Sequence, residues 1–536
     1  MERRALIAVV ISLAILVLYQ ELVIKRYFGE PVSRPEAEAP PPTAPSAPTQ
    51  PAVVSPEAPP PAIIPEGREV VIETDLYRAV LTTAGARLRN FQLKHYRATV
   101  DKASPALDAI TDAVRTDLPL GIELRAASKS ITDTATVYRV DRDQLALADG
   151  ASGAVSFVGE VDGITITKRF EARADSYLLG LDLKAEGATG EYVEMAIGWH
   201  KNVNGTHPLS AEKVFDSIIA IKKDKLQQVT WEGLDTLAED DIRWLGYSGR
   251  YFLAALVPST AGEKTARMWL KRRDPTLQTK LILPPGELKS HIDIYVGPKE
   301  IGILESTGHS LRRAVDLGWF TFIALPLLQL LKLSHRLTGN YGVDIILLTV
   351  MIKILFIPLT QKSLKSMREM QKLQPQMAKI RERLKDHPDE MNKEVMELYR
   401  RHKVNPLGGC LPMVLQIPVF VGLYNALLNA VELRHASFAG WINDLSAPDR
   451  LGTVQLPYVE QPGIPILTLL MGVSMFWQQW MTPSTGGDPA QQRVMLIMPV
   501  IFTFMFINFP SGLTLYWLVN NILTIAQQYV INRPAR

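Results

Sequence analysis

Cysteine is almost absent: the chain has one, Cys410, in 536 residues. An intrachain disulfide is therefore excluded, and any exported part must be held together by its own core. Catalytic signatures are missing too. There is no Gly-rich phosphate loop ending in Lys-Ser/Thr, no Gly-x-Ser-x-Gly elbow, no His-Glu-x-x-His and no paired Cys-x-x-Cys. Gly246-Tyr-Ser-Gly249 lacks the elbow spacing, and His200 and His207, on a strand and a loop, read as ordinary histidines rather than metal ligands. These absences argue against an ATPase or a metallohydrolase and lead us to expect no catalytic residue, metal or cofactor. Net charge is also small, +3. That average conceals a block at 362–403 with twelve Lys or Arg against seven Asp or Glu, which reads as a cytoplasm-facing segment.

What is abundant is apolar, 47% of the chain, and it is unevenly spread, so a soluble part is joined to a membrane part. Arg3 and Arg4 precede an apolar stretch from Ala5 to about Ile24 with no good cleavage site, and residues 1–26 read as an uncleaved signal anchor. Residues 27–65 form a linker in which thirteen prolines fall between 31 and 65, a composition that makes an extended tether. From 66 to 300 the pattern changes to short alternating or β-branched runs, such as Glu69–Thr74, Gly163–Lys168 and His291–Val296, the signature of a β-sandwich with its own core. Residues 301–340 comprise a linker and an apolar run, 314–337, that ends in Lys332, His335 and Arg336. Reading that run as a crossing would place the basic block outside, so it is expected to lie in the interface.

The remainder, 341–536, carries apolar segments at about 343–360, 412–431, 464–481, 494–509 and 512–531. With the anchor these make six spans and return both termini to the cytoplasm. Several are eighteen residues or shorter, about 27 Å of helix against a hydrocarbon core of about 30 Å, so the bilayer is expected to thin around them. Between the first two of these segments, 361–411 reads as a cytoplasmic hairpin of two helices in their own right. Its Met367, Met370, Met377 and Met391 either pack the hairpin together or offer an adaptable surface to clients or partners.

The most informative residue is Lys353, within Thr349-Val-Met-Ile-Lys-Ile-Leu-Phe-Ile-Pro358. A cation at the centre of a span costs about 2.5 to 3.5 kcal/mol, so it either lines a wet cavity, meets a partner or snorkels. The basic end lies about 12 Å away, which exceeds an easy snorkel. Thr349 shares its helical face; Gln478 and Gln479 sit late in another span; Tyr516, Asn520, Thr524 and Gln527 form one stripe of the last, with Trp517 beside it. Together they read as a shared polar groove, and no carboxylate in the spans is placed to pair with Lys353, Asp344 being nine residues away.

Asn405-Pro-Leu-Gly-Gly-Cys-Leu-Pro412, Phe438-Ala-Gly-Trp-Ile-Asn-Asp-Leu-Ser446, Asp488-Pro-Ala-Gln-Gln492 and Phe509-Pro-Ser-Gly-Leu513, in this order, resemble the YidC membrane protein insertases. The likeness is dense over 315–531, and the anchor, proline linker and β-domain resemble the Gram-negative form. The resemblance implies a membrane α-helical bundle of six transmembrane helices, five forming the core, an all-β periplasmic sandwich domain similar in fold to sugar mutarotases, and a cytoplasmic helical hairpin. It implies a bacterial inner-membrane protein whose groove opens to cytoplasm and lipid. Lys353 stands where relatives usually have arginine; Thr349, Gln478 or Gln479, and Trp517 match groove positions. The implied function is insertion and folding of inner-membrane proteins, alone or with the Sec translocon. Implied partners are nascent membrane protein clients, the lipid bilayer, the Sec translocon and the ribosome, with no direct nucleic-acid recognition. Only Arg533-Pro-Ala-Arg536 follows the last span, so ribosome binding through a long basic tail is not expected.

Two readings from other classes compete. A secondary transporter or channel predicts a through-path, repeat symmetry or an ion-binding carboxylate. A membrane-anchored carbohydrate-active enzyme needs histidine and carboxylate groups converging on a sugar-sized pocket in the β-domain.

Overall fold

The structure, a computed structural model, describes residues 66–532 apart from 111–117, 127–128, 188–191, 203–212, 231–233, 260–264, 275, 287, 386, 403, 405–410, 456–460 and 482–488. The expected anchor and proline linker lie outside the described residues, as does most of the Asn405–Pro412 motif.

Alternation builds the β-domain. In the strand Ile164–Arg173 the even-numbered residues Ile164, Ile166, Lys168, Phe170 and Ala172 are buried, and the odd-numbered ones face out. It pairs antiparallel with Ser152–Val161 on one side and Leu178–Glu186 on the other, which continues into Lys289–Pro298 and Phe252–Ser259. These strands belong to a fifteen-stranded sheet; a five-stranded sheet, begun by Glu69–Glu73, closes over the core, so the expected two-sheet domain is found. Aromatics fill the space between, among them Phe157 edge-on to Phe170 at 5.6 Å and the fully buried Trp244.

Alternation also places Lys168 on the inner face, with no solvent exposure. Its ammonium lies 2.6 Å from Asp133 and donates to the carbonyls of Gly85 at 2.7 Å and Leu120 at 2.8 Å. Gly85 and Ala86 both have left-handed backbone (φ 72° and 45°), which turns their carbonyls towards the lysine. Burial pulls the Lys168 ammonium down to about 8 against the opposing pull of Asp133.

On the outer side of the Leu178–Glu186 and Lys289–Pro298 pair, Asp182, His291 and Asp293 form a chain with His309. His291 spends Nδ1 on Asp182 at 2.7 Å and Nε2 on Asp293 at 3.2 Å, and the second Asp293 oxygen meets His309 at 3.1 Å. Histidines and carboxylates do converge here, but they satisfy one another and tie the sheet to the segment after it.

That segment leads into the helical part: α1 (Ile301–Thr307), α2 (Thr321–Thr338), α3 (Tyr341–Arg383), α4 (Pro388–Arg401), α5 (Leu411–Asn429), α6 (Ile466–Met481), α7 (Pro489–Phe506) and α8 (Ser511–Asn532). Among the described residues one helix, α3, is long and apolar enough by length and composition to cross a membrane. α2 ends at Gly339, whose φ of 63° suits a helix C-terminus, and α3 starts at once under Asn340, whose side chain accepts from the amides of Gly342 and Val343. Gly342 is required there because a Cβ would stand 2.0 Å from the Phe438 ring. The core of this part runs from Leu327 and Leu331 on α2 through Ile345 and Leu348 on α3 to Leu427, Met471, Phe506 and Tyr516.

Two expectations need correction. No break separates a span ending at 360 from a hairpin beginning at 361: α3 continues for 43 residues through Pro358 and Pro375, so the hairpin's first helix is the end of the first core helix. The change from apolar to basic residues alters what surrounds the helix, while its backbone bonds are indifferent to it. Met370 and Met377 are only 3% and 2% exposed, packed with Leu373 and Tyr399 inside the hairpin, and cannot present themselves to a client. Met367 packs against this cluster, Met391 is half-buried, and Met396 is the exposed methionine.

Two outcomes are expected. Lys168→Met should destabilise the β-domain by about 3 to 5 kcal/mol, read by urea unfolding of the full-length protein in detergent, because it strips the buried Asp133 of its closest cation. The histidine chain should make stability pH-dependent. The bond to Asp293 raises His309; at His291 burial opposes the rise but the two carboxylates outweigh it; and the His309 bond lowers Asp293. The histidine contribution is complete below their ordinary value of about 6.5 and is lost as pH climbs through the raised values, whereas that of Asp293 is lost only in acid. Melting temperature should therefore fall by about 2 °C between pH 6 and pH 8.5, and His309→Gln should reduce that slope.

Candidate functional site

The face of α3 that carries Lys353 turns towards α8, while its neighbours Ile354 and Leu355, 61% and 74% exposed, turn away. Lys353 is half-buried. Its Nζ donates to Thr524 Oγ1 at 2.6 Å and Asn520 Oδ1 at 3.4 Å, one turn apart on α8. The Thr524 hydroxyl gives its own proton to the Asn520 carbonyl at 2.6 Å, leaving its lone pairs to the lysine. Both partners are neutral, and among the described residues no carboxylate lies in ion-pairing range, so the positive charge is held in place without being cancelled. One turn further along the stripe, the side-chain amide of Gln527 has both its oxygen and its nitrogen enclosed without a hydrogen-bond partner among the described residues. Leaving such a group unanswered costs about 1 to 3 kcal/mol, which favours a polar guest beside it.

The other sequence-derived residues have more structural roles. Thr349 is 1% exposed and returns its hydroxyl proton to the Ile345 carbonyl at 2.6 Å, so it is wall rather than surface. Tyr516 is equally buried, and its hydroxyl accepts from Gln416 on α5 at 2.6 Å. Trp517 packs edge-on to Phe420 at 4.7 Å and against Phe506 at 5.2 Å, joining α5, α7 and α8 through an aromatic cluster. Gln478 and Gln479 are half-buried near the end of α6, and neither is a partner of Lys353. The lysine is thus brought to Asn520 and Thr524, not to the glutamines.

Several polar pairings escaped sequence reasoning. Gln416 is a polar residue inside an apolar run, the same signal that marked Lys353. Asn521 donates to Ser474 at 3.0 Å and ties α8 to α6. Asp344, fully buried, accepts from Thr338 at 2.7 Å and meets His335 at 2.9 Å, at the joint between α2 and α3. Asp444, in the Phe438–Ser446 motif, and Asp449, three residues after it, accept from the amides of Ser446 and Leu467 and so act as loop and helix-end ligands.

Comparison with known proteins bears on both parts. The model of the 60Kd inner membrane protein family matches residues 333–536, and that of the YidC periplasmic domain matches 69–330, running past the last strand into α2. A protein named membrane protein insertase YidC from Syntrophobacter fumaroxidans is 41% identical over the whole of both chains. One so named from Pelobacter propionicus is 40% identical over 99% of each. Among solved structures, an active YidC insertase with its first transmembrane domain resolved shares 18% identity over 88% of this chain and 96% of that one, with a TM-score of 0.37. A galactose mutarotase-like protein from Lactobacillus casei covers 43% of this chain and 100% of its own, with 10% identity and a TM-score of 0.28. The helical part is accordingly inner-membrane protein and the β-domain periplasmic. With identity near 40% sustained from end to end, the chain belongs to the YidC family of membrane protein insertases, which work without enzymatic chemistry.

Proposed function

We propose that clients enter the bilayer along a polar groove between α3 and α8, with Lys353 as its cation and Asn520, Thr524 and Gln527 as its floor. The observation that carries this reading is a half-buried ammonium bonded, among the described residues, to neutral acceptors alone. Such a charge attracts an acidic segment of a client, and the surrounding polar groups shorten the low-dielectric distance that segment has to cross. Burial of the adjoining apolar helix in lipid then drives the step. Gln478, Gln479 and Trp517 flank the path on α6 and α8. Phe476, Trp477 and Trp480, 53%, 55% and 79% exposed on α6, offer the lipid-facing surface past which that helix would slide.

The proposed topology has six spans: the anchor at 1–26 and about 343–360, 412–431, 464–481, 494–509 and 512–531. Both termini and the hairpin are cytoplasmic, and α2 lies in the outer interface. Trp319, Phe322 and Leu337, 96%, 71% and 88% exposed, support the placing of α2. Within the hairpin, Met391 and Met396 are the methionines available to a client. The Sec translocon and the ribosome are proposed as further partners.

The test of the groove is a charge series at matched protein levels. Lys353→Arg should be tolerated. Lys353→Ala should lower insertion of clients with acidic translocated segments by about fivefold, the effect of about 1 kcal/mol of lost attraction, and spare neutral ones. Thr524→Asp, which cancels the charge without removing the lysine, should reproduce that selectivity; equal insertion of both client classes by all variants would show that the charge does not act on clients. For topology, protease added outside spheroplasts should cut within 27–65 or the β-domain and spare 361–411, and cleavage of the hairpin from that side would overturn the six-span arrangement.

A further inference from the structure

Lys332 on one side and His335 with Thr338 on the other commit the second half of α2 to two different joints. Lys332 lies 3.1 Å from Glu300, in the segment leaving the last β-domain strand, and is also paired with Glu432, in the turn after α5. These three side chains are 28%, 30% and 13% exposed, so the charges are largely withdrawn from water. One turn on, His335 and Thr338 hold the buried Asp344 of α3. The turn after α5 is fastened to the β-domain a second time. Arg434 donates to the Arg97 carbonyl at 2.8 Å with its guanidinium 5.5 Å over the Phe252 ring, and Val431 is part of the β-domain's own core.

One cation answering two carboxylates is hard to replace, because its loss leaves two poorly solvated anions facing each other. The joints are also in series. Glu300 belongs to the β-domain side, Lys332 to α2, Glu432 to the end of α5, and Asp344 to the helix that carries Lys353, about 13 Å along its axis.

We propose that Lys332 is a positioning residue for insertion. It braces the β-domain, α2 and the ends of α3 and α5 into one body over the outer end of the bundle, so that this end stays fixed while clients are handled below it. The brace needs the carboxylates of Glu300 and Glu432, not the bulk of the β-domain.

The experiment uses the full-length protein in lipid nanodiscs on a Cys410→Ser background, with spin labels at Ser259, exposed at the end of a β-domain strand, and at Leu337 on α2. Pulsed dipolar spectroscopy should give one narrow distance distribution. Lys332→Met should broaden it or add a second distance and reduce client insertion, whereas Lys332→Arg should keep the narrow distribution and restore insertion. Unfolding of the β-domain, followed by tryptophan fluorescence, should be the same in both variants, which separates positioning from loss of fold. If Lys332→Met does not accumulate, Glu300→Gln removes one arm and should broaden the distribution less. An unchanged distribution in Lys332→Met, or one already broad in the unsubstituted protein, would overturn the brace. A broadened distribution with full insertion would overturn the positioning role. The distance measurement does not involve Lys353, so its outcome is independent of the groove.

Discussion

Inside an apolar bundle a polar side chain has to be answered by another protein group, and this requirement sets the joints of the helical part. Tyr516 answers Gln416, Asn521 answers Ser474, and Asp344 takes both His335 and Thr338. Each pair links two helices that apolar packing alone would leave free to slide or rotate. Lys353 obeys the same rule in a weaker form, because Asn520 and Thr524 satisfy its hydrogen bonds but leave its charge intact. The distinction between a satisfied donor and a neutralised charge separates the joints from Lys353.

The β-domain meets the same constraint differently. Lys168 is accompanied by Asp133, so charge and hydrogen bonding are both closed, and the result is a rivet between the strand and the Gly85–Ala86 turn. In the chain from Asp182 to His309 both ring nitrogens of His291 and both oxygens of Asp293 are engaged, which fastens the last strand to the segment after it.

Elements were legible in the sequence where one physical rule governs many residues. Alternation located Gly163–Lys168, the first half of the strand Ile164–Arg173, and apolar run length located the helices near 464–481 and 512–531. Lys353 was legible because a lone cation in such a run has few explanations. What stayed hidden was pairing across distance: Gln416 and Tyr516 are 100 positions apart, and only the fold brings them together. Orientation was hidden as well, since Thr349 lies on the lysine's face yet turns its hydroxyl back to its own helix. The same alternation that identified the strand put Lys168 inside, and composition alone would have left it in water. After Pro358 the sequence marks a change of environment and not of structure, since the helix runs on.

That unbroken helix has a mechanical consequence. At about 1.5 Å per residue, α3 is a rod of about 64 Å, pinned at its N-terminal end by the Asn340 cap, the Phe438 ring and the Asp344 bonds. Lys353 stands about 13 Å from that pin, and the far end of the rod, in the hairpin, stands about 58 Å from it. A sideways displacement of the hairpin therefore arrives at the lysine reduced roughly fourfold by this leverage. Pro358 and Pro375, each lacking one backbone bond, lie between the lysine and the far end, so any bending there reduces further what reaches the charge. Large excursions of the far end of α3 are thus converted into smaller movements at the charge.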